Sequence, residues 1–194
     1  MKIINLSLVA LVFGLLSGCE INNIPTYDEQ VKSSWSEVEN QYQRRSDLIP
    51  NLVSITKQVV NHEKDTLLAI AEVRSNVNNF SKSGLLDNKQ KMGEYQQLQA
   101  KLGAGMQNIM LQIENYPNLQ ANQNFLQLSS QLEGTENRIA IARREFIKSI
   151  EIYNTELKTF PGKIYHQSIY QDYVLRDDNV YFRANNIENS KINL

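Results

Sequence analysis

From Phe125 to Phe160 a single apolar seam runs through the chain: Phe125, Leu128, Leu132, Thr135, Ile139, Ala142, Phe146, Ile150, Tyr153, Leu157 and Phe160 follow one another at helical steps. Ten of these eleven residues are apolar, which decides for one buried helical face rather than a chance run. Extended back to Leu119, such a helix is about 60 Å long at a rise of 1.5 Å per residue. A helix of that length with one apolar stripe must bury it along other long helices. An antiparallel, left-handed bundle does so with short connections, and the fold class read from the sequence is all-α.

The rest of the chain supplies the partners. Tyr27, Val31, Trp35, Val38, Tyr42, Ile49, Leu52, Ile55 and Val59 recur mostly at steps of three and four. Pro50 sits inside this pattern, where it removes the bond to the Ser46 carbonyl and crowds it, so one long kinked helix is expected. The pattern continues in phase through Leu67, Ile70, Val73, Val77 and Phe80. Ser81, Ser83, Gly84 and Asn88 mark a loop, after which Asp87 is suited to cap a helix and to pair with Lys91. That helix, from about Asn88 to Tyr116, carries Tyr95, Leu98, Leu102, Ile109 and Ile113 on one face; Gly93, Gly103 and Gly105 weaken it unless they allow close packing. Pro117 closes it, and Pro161-Gly162 closes the last long helix. Residues 163–194 hold Tyr165, Tyr170, Tyr173 and Tyr181 without a sustained period and read as an irregular tail.

The N-terminus is of another kind. Met1-Lys2 precedes an apolar run of about fourteen residues, short of the roughly 20 that cross a bilayer. A basic start, a short apolar stretch and small residues match a secretory signal. Leu16-Ser17-Gly18-Cys19 resembles the lipobox of bacterial lipoproteins, in which the thiol is acylated and the chain is cut just before it. Cys19 is the chain's one cysteine, so it has no disulfide partner within the chain. One acyl chain anchors only marginally and two anchor stably, and lipoprotein maturation supplies at least two. The competing reading is an ordinary signal peptide or short anchor helix with an incidental cysteine. The expected organisation is a signal at 1–18, a linker at 19–26 from lipidated Cys19, a bundle at 27–162 and the tail at 163–194.

Removing residues 1–18 leaves 176 of the 194 residues, enough for one domain with a sizeable core. Lys2 leaves with the signal, taking the 20 basic side chains to 19 against 21 acidic ones. That balance gives no drive toward nucleic acid or anionic lipid, so the anchor has to supply the membrane attachment. His62-Glu63 opens like a zinc-peptidase motif, but position 66 is Thr66, and no Glu-x-x-His of the di-iron kind occurs. Gly103-Ala104-Gly105 follows no strand and is not a dinucleotide loop. No cofactor, metal or enzymatic activity is expected.

Polar clusters are denser than catalytic signals. Arg44, Arg45 and Asp47 stand with Glu37 and Glu39 on the first helix; Glu133, Glu136, Asn137 and Arg138 stand with Arg143 and Arg144 on the last. They read as two solvated faces, where exposed pairs are worth at most about 1 kcal/mol each, as a network fixing the register of the bundle, with Glu136 or Glu133 meeting Arg44 or Arg45, or as ligand-binding residues. Trp35 shares the face of Val31 and Val38, and Tyr153 lies on the seam, so both read as core rather than as a binding platform.

Residues 35–53, WSEVENQYQRRSDLIPNLV, and 114–162, ending LEGTENRIAIARREFIKSIEIYNTELKTFPG, resemble the LemA family, as does HEKDTLLAIAEVRS at 62–75. The resemblance spans about 27–162 and implies an antiparallel helical bundle tethered to a bacterial membrane, with no known catalytic activity. Many members of that family carry a longer N-terminal transmembrane helix; here a lipobox stands in its place, and the chain after Gly162 departs from the family pattern. The expected function is a non-enzymatic interaction or scaffold module meeting an unknown envelope protein partner. It faces the periplasm or extracytoplasmic space, and Glu20 slightly favours the outer membrane where one exists. The alternative is a small-ligand or lipid-binding bundle with room made by Gly93, Gly103 and Gly105.

Overall fold

The computed structural model describes residues 21–57 and 64–176. Among them are six helices and no strand: α1 (Asn23–Lys57), α2 (Lys64–Asn79), α3 (Lys89–Ile113), α4 (Pro117–Gln120), α5 (Gln123–Lys158) and α6 (Gly162–Ser168). Cys19, Val59, His62, Glu63 and the last eighteen residues, 177–194, lie outside the described residues.

The long seam is the inner face of α5. Ten of its eleven residues are buried; Phe160 is 82% exposed because α5 ends at Lys158. The helix starts at Gln123 rather than near Leu119. Asn122 caps it through its side-chain oxygen, which accepts from the amides of Asn124 and Phe125, and Leu119 belongs to the separate turn α4, which has Pro117 at its first position. α1 and α5 pack antiparallel along their lengths. Asn23 reaches Glu156 at 3.3 Å, Ser34 meets Ser149 at 2.7 Å, and Arg45 meets Glu136 at 3.1 Å. Trp35 and Phe146 face each other across this pair with ring centroids 5.0 Å apart, and Tyr95 of α3 meets Trp35 edge-on at 6.3 Å. Both Trp35 and Tyr153 are core residues.

The apolar phase from Tyr27 to Phe80 does not form one helix. α2 folds back against α1, so that Ser46 bonds Asn78 at 3.1 Å while Arg74 bonds the Ser46 backbone. α2 is likewise antiparallel to α3, with Ile70 against Gly105 and Phe80 against Tyr95. The four long helices therefore run alternately up and down.

Pro50 lies within α1, which continues past it. The Ser46 carbonyl, deprived of its partner four residues on, accepts from Arg74 Nε at 2.8 Å. A side chain of α2 thus replaces the bond that proline removes. Arg74→Ala is expected to cost about 1–2 kcal/mol, by orphaning that carbonyl. In a Pro50→Ala background, where an amide is restored, the cost should fall by about half or more. Equal costs in both backgrounds, measured by urea unfolding, would contradict this account.

Two boundaries differ from the sequence expectation. The linker 19–26 is shorter than expected, because α1 begins at Asn23: Pro25 is tolerated in a first turn, where backbone amides lack helical partners, and buried Ile24 holds the turn to the core. The tail expected at 163–194 is in part ordered. α6 occupies Gly162–Ser168, and the chain from there to Arg176 is bonded to the bundle. The cap of α3 is Asn88, whose side chain accepts from the Lys91 amide at 2.9 Å. Asp87 instead meets Arg176, and Lys91 Nζ turns to the Ser83 carbonyl.

Candidate functional site

At the middle of α1 the apolar rhythm skips from Tyr42 to Ile49, and the in-phase positions hold Arg45 and Ser46, both buried. Arg45 Nη1 donates to Glu136 Oε1 at 3.1 Å, and Nη2 donates to the Gln99 backbone oxygen at 2.8 Å and to Gln99 Oε1. Gln99 Nε2 in turn donates to the Tyr95 hydroxyl at 3.0 Å. The guanidinium also lies 5.2 Å from the centre of the Tyr42 ring. Gly103 makes this possible: a Cβ there would stand 3.0 Å from Arg45 Nη1. Burial pushes the Tyr95 hydroxyl up to about 12, so it stays a neutral acceptor and donor. One arginine therefore ties α1, α3 and α5 together at a single level.

The other residues singled out in the sequence do not join this cluster. Arg44, Asp47, Glu133, Asn137 and Arg138 are exposed. Asp47 accepts from Gln43 on its own helix, and Glu133 from Ser129 on its own helix. Gln99 escaped the sequence reading because Leu98 beside it claimed the apolar slot; Leu98 is only half-buried, while Gln99 is buried. The signal for Arg45 was the missing apolar residue between Tyr42 and Ile49.

A second buried ion pair sits at the Asn23 end. Arg176 Nη2 meets Asp28 Oδ1 at 2.7 Å, and its Nη1 reaches Asp87 Oδ1 at 3.3 Å. The backbone of Arg176 is held by Asn154 on both sides, through its N–H at 3.0 Å and its carbonyl at 2.7 Å. Tyr153 donates to the Val174 carbonyl at 3.0 Å. These bonds latch the segment after α6 across α1, α5 and the loop before α3. Nothing in the aperiodic sequence of this segment announced them.

Burial pushes the Asp28 carboxyl up, but hydrogen bonds and charge from Arg176 and Lys32 outweigh it and hold the group below its ordinary value. A carboxyl lowered on folding contributes stability above its unfolded pKa of about 4, and that contribution is lost as pH falls through the folded value. The wild type should therefore exceed Asp28→Asn in stability at neutral pH, and the gap should narrow as pH falls below about 4. A gap of the same size at pH 7 and pH 2.5 in urea unfolding would contradict this.

Beside the Arg45 cluster a recess of about 270 Å³ is lined by Tyr42, Ser46, Asn78, Lys82, Tyr95 and Gln99, and a larger groove opens on another side of the bundle. Between the C-terminal part of α3 and the N-terminal part of α5 lies a groove of about 710 Å³. Its floor is Met106, Met110, Ile113, Phe125 and Leu132. Leu111, 61% exposed, stands on its wall, so the groove is not an enclosed cavity. Gly93, Gly103 and Gly105 do not line it. Gly103 and Gly105 instead admit Arg45 and Ile70, while a Cβ at Gly93 would meet nothing within 4 Å. The sequence-based idea that these glycines open a ligand chamber is thus corrected. Among the described residues no helix is long and apolar enough to cross a membrane, and no cluster of three or more His, Cys, Asp or Glu could hold a metal.

An up-down bundle of four long helices, pinned by a buried arginine and closed by a latched C-terminal segment, places the chain in the class of all-α bundle proteins. A sequence model of the LemA family matches residues 34–192, and the chain belongs to that family. The match continues well past Gly162, so the segment after it does follow the family pattern, contrary to the sequence expectation. Among curated proteins the chain is similar to magnetosome proteins MamQ 1 and MamQ 2 of Paramagnetospirillum magneticum, each 26% identical over 80% of this chain. It is 27% identical to magnetosome protein MamQ of Magnetospirillum gryphiswaldense, again over 80% of this chain. It spans 63% of the length of these relatives.

Proposed function

We propose that the protein is a non-enzymatic interaction module, held at a bacterial membrane through lipidated Cys19, with its bundle facing the periplasm or extracytoplasmic space. The observation that carries the interaction role is the open groove between α3 and α5. The buried polar groups serve the bundle itself: Arg45, Gln99, Glu136 and Tyr95 bond one another, as do Asp28, Arg176 and Asn154. Tyr95 and Gln99 also line a small polar recess with Ser46 and Asn78, while the groove presents exposed Leu111 on its wall and half-buried Met110 on its apolar floor.

The anchor reading rests on Leu16-Ser17-Gly18-Cys19 and on the position of α1. Only four steps of chain separate Cys19 from Asn23, a reach of at most about 15 Å. A lipid at Cys19 would thus keep the Asn23 end of the bundle close to the bilayer. The groove, near the opposite end of α5, would stand some tens of ångströms away, within reach of envelope proteins. The MamQ relatives support a role in a bacterial assembly only by the name they carry.

The test is photocrosslinking in cells, with p-benzoylphenylalanine placed at Leu111 on the groove wall or at exposed Ser33 on α1 of the full-length chain. A discrete adduct in the membrane fraction from Leu111 and none from Ser33 is the expected result. Absence of any protein adduct from Leu111, over repeated preparations, would overturn the interaction role.

A further inference from the structure

Resting on that reading, the geometry points to one class of occupant for the groove: an amphipathic helix of a partner protein, with Lys or Arg beside its apolar stripe.

The groove exists because α3 and α5 belong to different close pairs. α5 packs along α1 and α3 packs along α2, while α3 and α5 touch only marginally. The short α4 lies between their ends in the chain. The groove presents exposed Leu111 on its wall and half-buried Met110 on its apolar floor, an edge on which a helix can dock. Its walls run from Met106 on α3 to Glu114 just past the end of that helix, and from Phe125 to Glu136 on α5, about 12 Å and 16 Å of helix axis. That length holds two to three turns, enough for anchors at i, i+3 or i+4, and i+7.

The chemistry of the lining selects the occupant. Two methionines on the floor give a soft surface that repacks around differing apolar side chains, a property of helix-binding grooves. The rim is acidic: Glu114, Glu133 and Glu136 line the groove together with Gln107 and Gln120, and no Lys or Arg is among the lining residues. Glu114 and Glu133 are exposed and make no ion pair with a described residue. Glu136 is 38% exposed while paired to Arg45. An apolar floor between carboxylates favours a helix with cationic flanks and disfavours an acidic one.

The same lining argues against other occupants. A fatty acid or phospholipid would bring its carboxylate or phosphate to a rim with no cation to receive it. Residues 177–194 of the chain carry Asp177, Asp178 and Glu188 against Arg183 and Lys191, an acidic excess that this rim would repel. A second copy brings the chain's overall negative balance.

The decisive experiment uses p-benzoylphenylalanine at Leu111 in the full-length protein in cells, with mass spectrometric sequencing of the crosslinked peptide. It is repeated in the Glu114→Lys/Glu133→Lys double variant, whose folding is checked by circular dichroism. The expected result is a partner peptide with apolar residues at helical spacing flanked by Lys or Arg, and an adduct weakened at least fivefold by the charge reversal in a variant that melts like the wild type. A further variant, Glu37→Lys/Glu145→Lys, reverses two charges on another face and should leave the adduct unchanged.

An adduct of equal strength in the rim variant overturns the inference. So does an acidic or unpatterned partner peptide, an adduct to residues 177–194, to a second copy, or to lipid. An adduct that falls equally in both double variants also overturns it, since the effect would then be one of general charge. A protein adduct of the wrong chemistry leaves the interaction role standing and removes only the basic helix; no protein adduct at all removes the interaction role itself.

Discussion

Phe146→Ala is expected to lower the free energy of unfolding by about 4 kcal/mol and the melting temperature by roughly 10 °C. Phe146 is completely buried, with its ring against Trp35 at the crossing of α1 and α5. Truncation there removes the transfer free energy of a phenyl ring and leaves a cavity. Trp35, Tyr95 and Ile150 are themselves held by neighbours and close such a space poorly. Phe160 provides the internal comparison. It lies on the same sequence seam, yet it is past the end of α5 and exposed, so Phe160→Ala should stay within about 0.5 kcal/mol. Urea unfolding of the two variants distinguishes a seam that ends with α5 from one that continues through Phe160; similar losses in both would contradict the boundary.

Arg45→Met is expected to cost about 2–3 kcal/mol, and Arg44→Met less than about 0.5 kcal/mol. The two arginines are adjacent in sequence and differ only in where the helix points them. Arg45, with its side chain 5% exposed, is bonded to Glu136 and Gln99; its loss leaves Gln99 Oε1 buried with one partner fewer. Glu136, being 38% exposed, can turn to water, which keeps the loss below that of a fully buried pair. Removing the carboxylate charge by Glu136→Gln leaves the buried guanidinium uncompensated, at a cost of about 2 kcal/mol. The two changes should couple by more than about 1 kcal/mol in a double-mutant cycle. Additive costs would mean that the pair is incidental to the bundle.

These cases show which parts of the molecule were legible in sequence. The α5 seam was, because a helix buried on one face must repeat its apolar residues at helical spacing. The position of Arg45 was half legible: the skipped turn between Tyr42 and Ile49 marked a polar site in the core, but only the neighbouring helices could say whether Arg44 or Arg45 turned inward. The reversal between α1 and α2 was hidden, because apolar phase carries no information about direction. Two antiparallel helices with in-phase stripes read like one helix. The exchange of a proline-freed carbonyl for an arginine bond, between Ser46 and Arg74, is a tertiary event with no local signature.

The latch and the groove were illegible for a related reason. Asp28, Asn154 and Arg176 are far apart in the chain, and the segment bearing Arg176 has no period to place it. The groove is a consequence of which helices pair most closely. Its floor residues lie on the same stripes as the core, so the sequence pattern took Ile113, Phe125 and Leu132 as core and gave no sign that a groove opens beside them.

We propose that a lipid on Cys19 holds this pinned helical bundle at a membrane surface. The most direct measurement of that claim is the intact mass of the protein extracted from the membrane fraction, with fragmentation of its N-terminus. The account predicts a chain beginning at Cys19 and carrying at least two acyl groups, and the loss of both the cleavage and the acyl mass in Cys19→Ser. A chain beginning at Met1, or an unmodified Cys19, would contradict it.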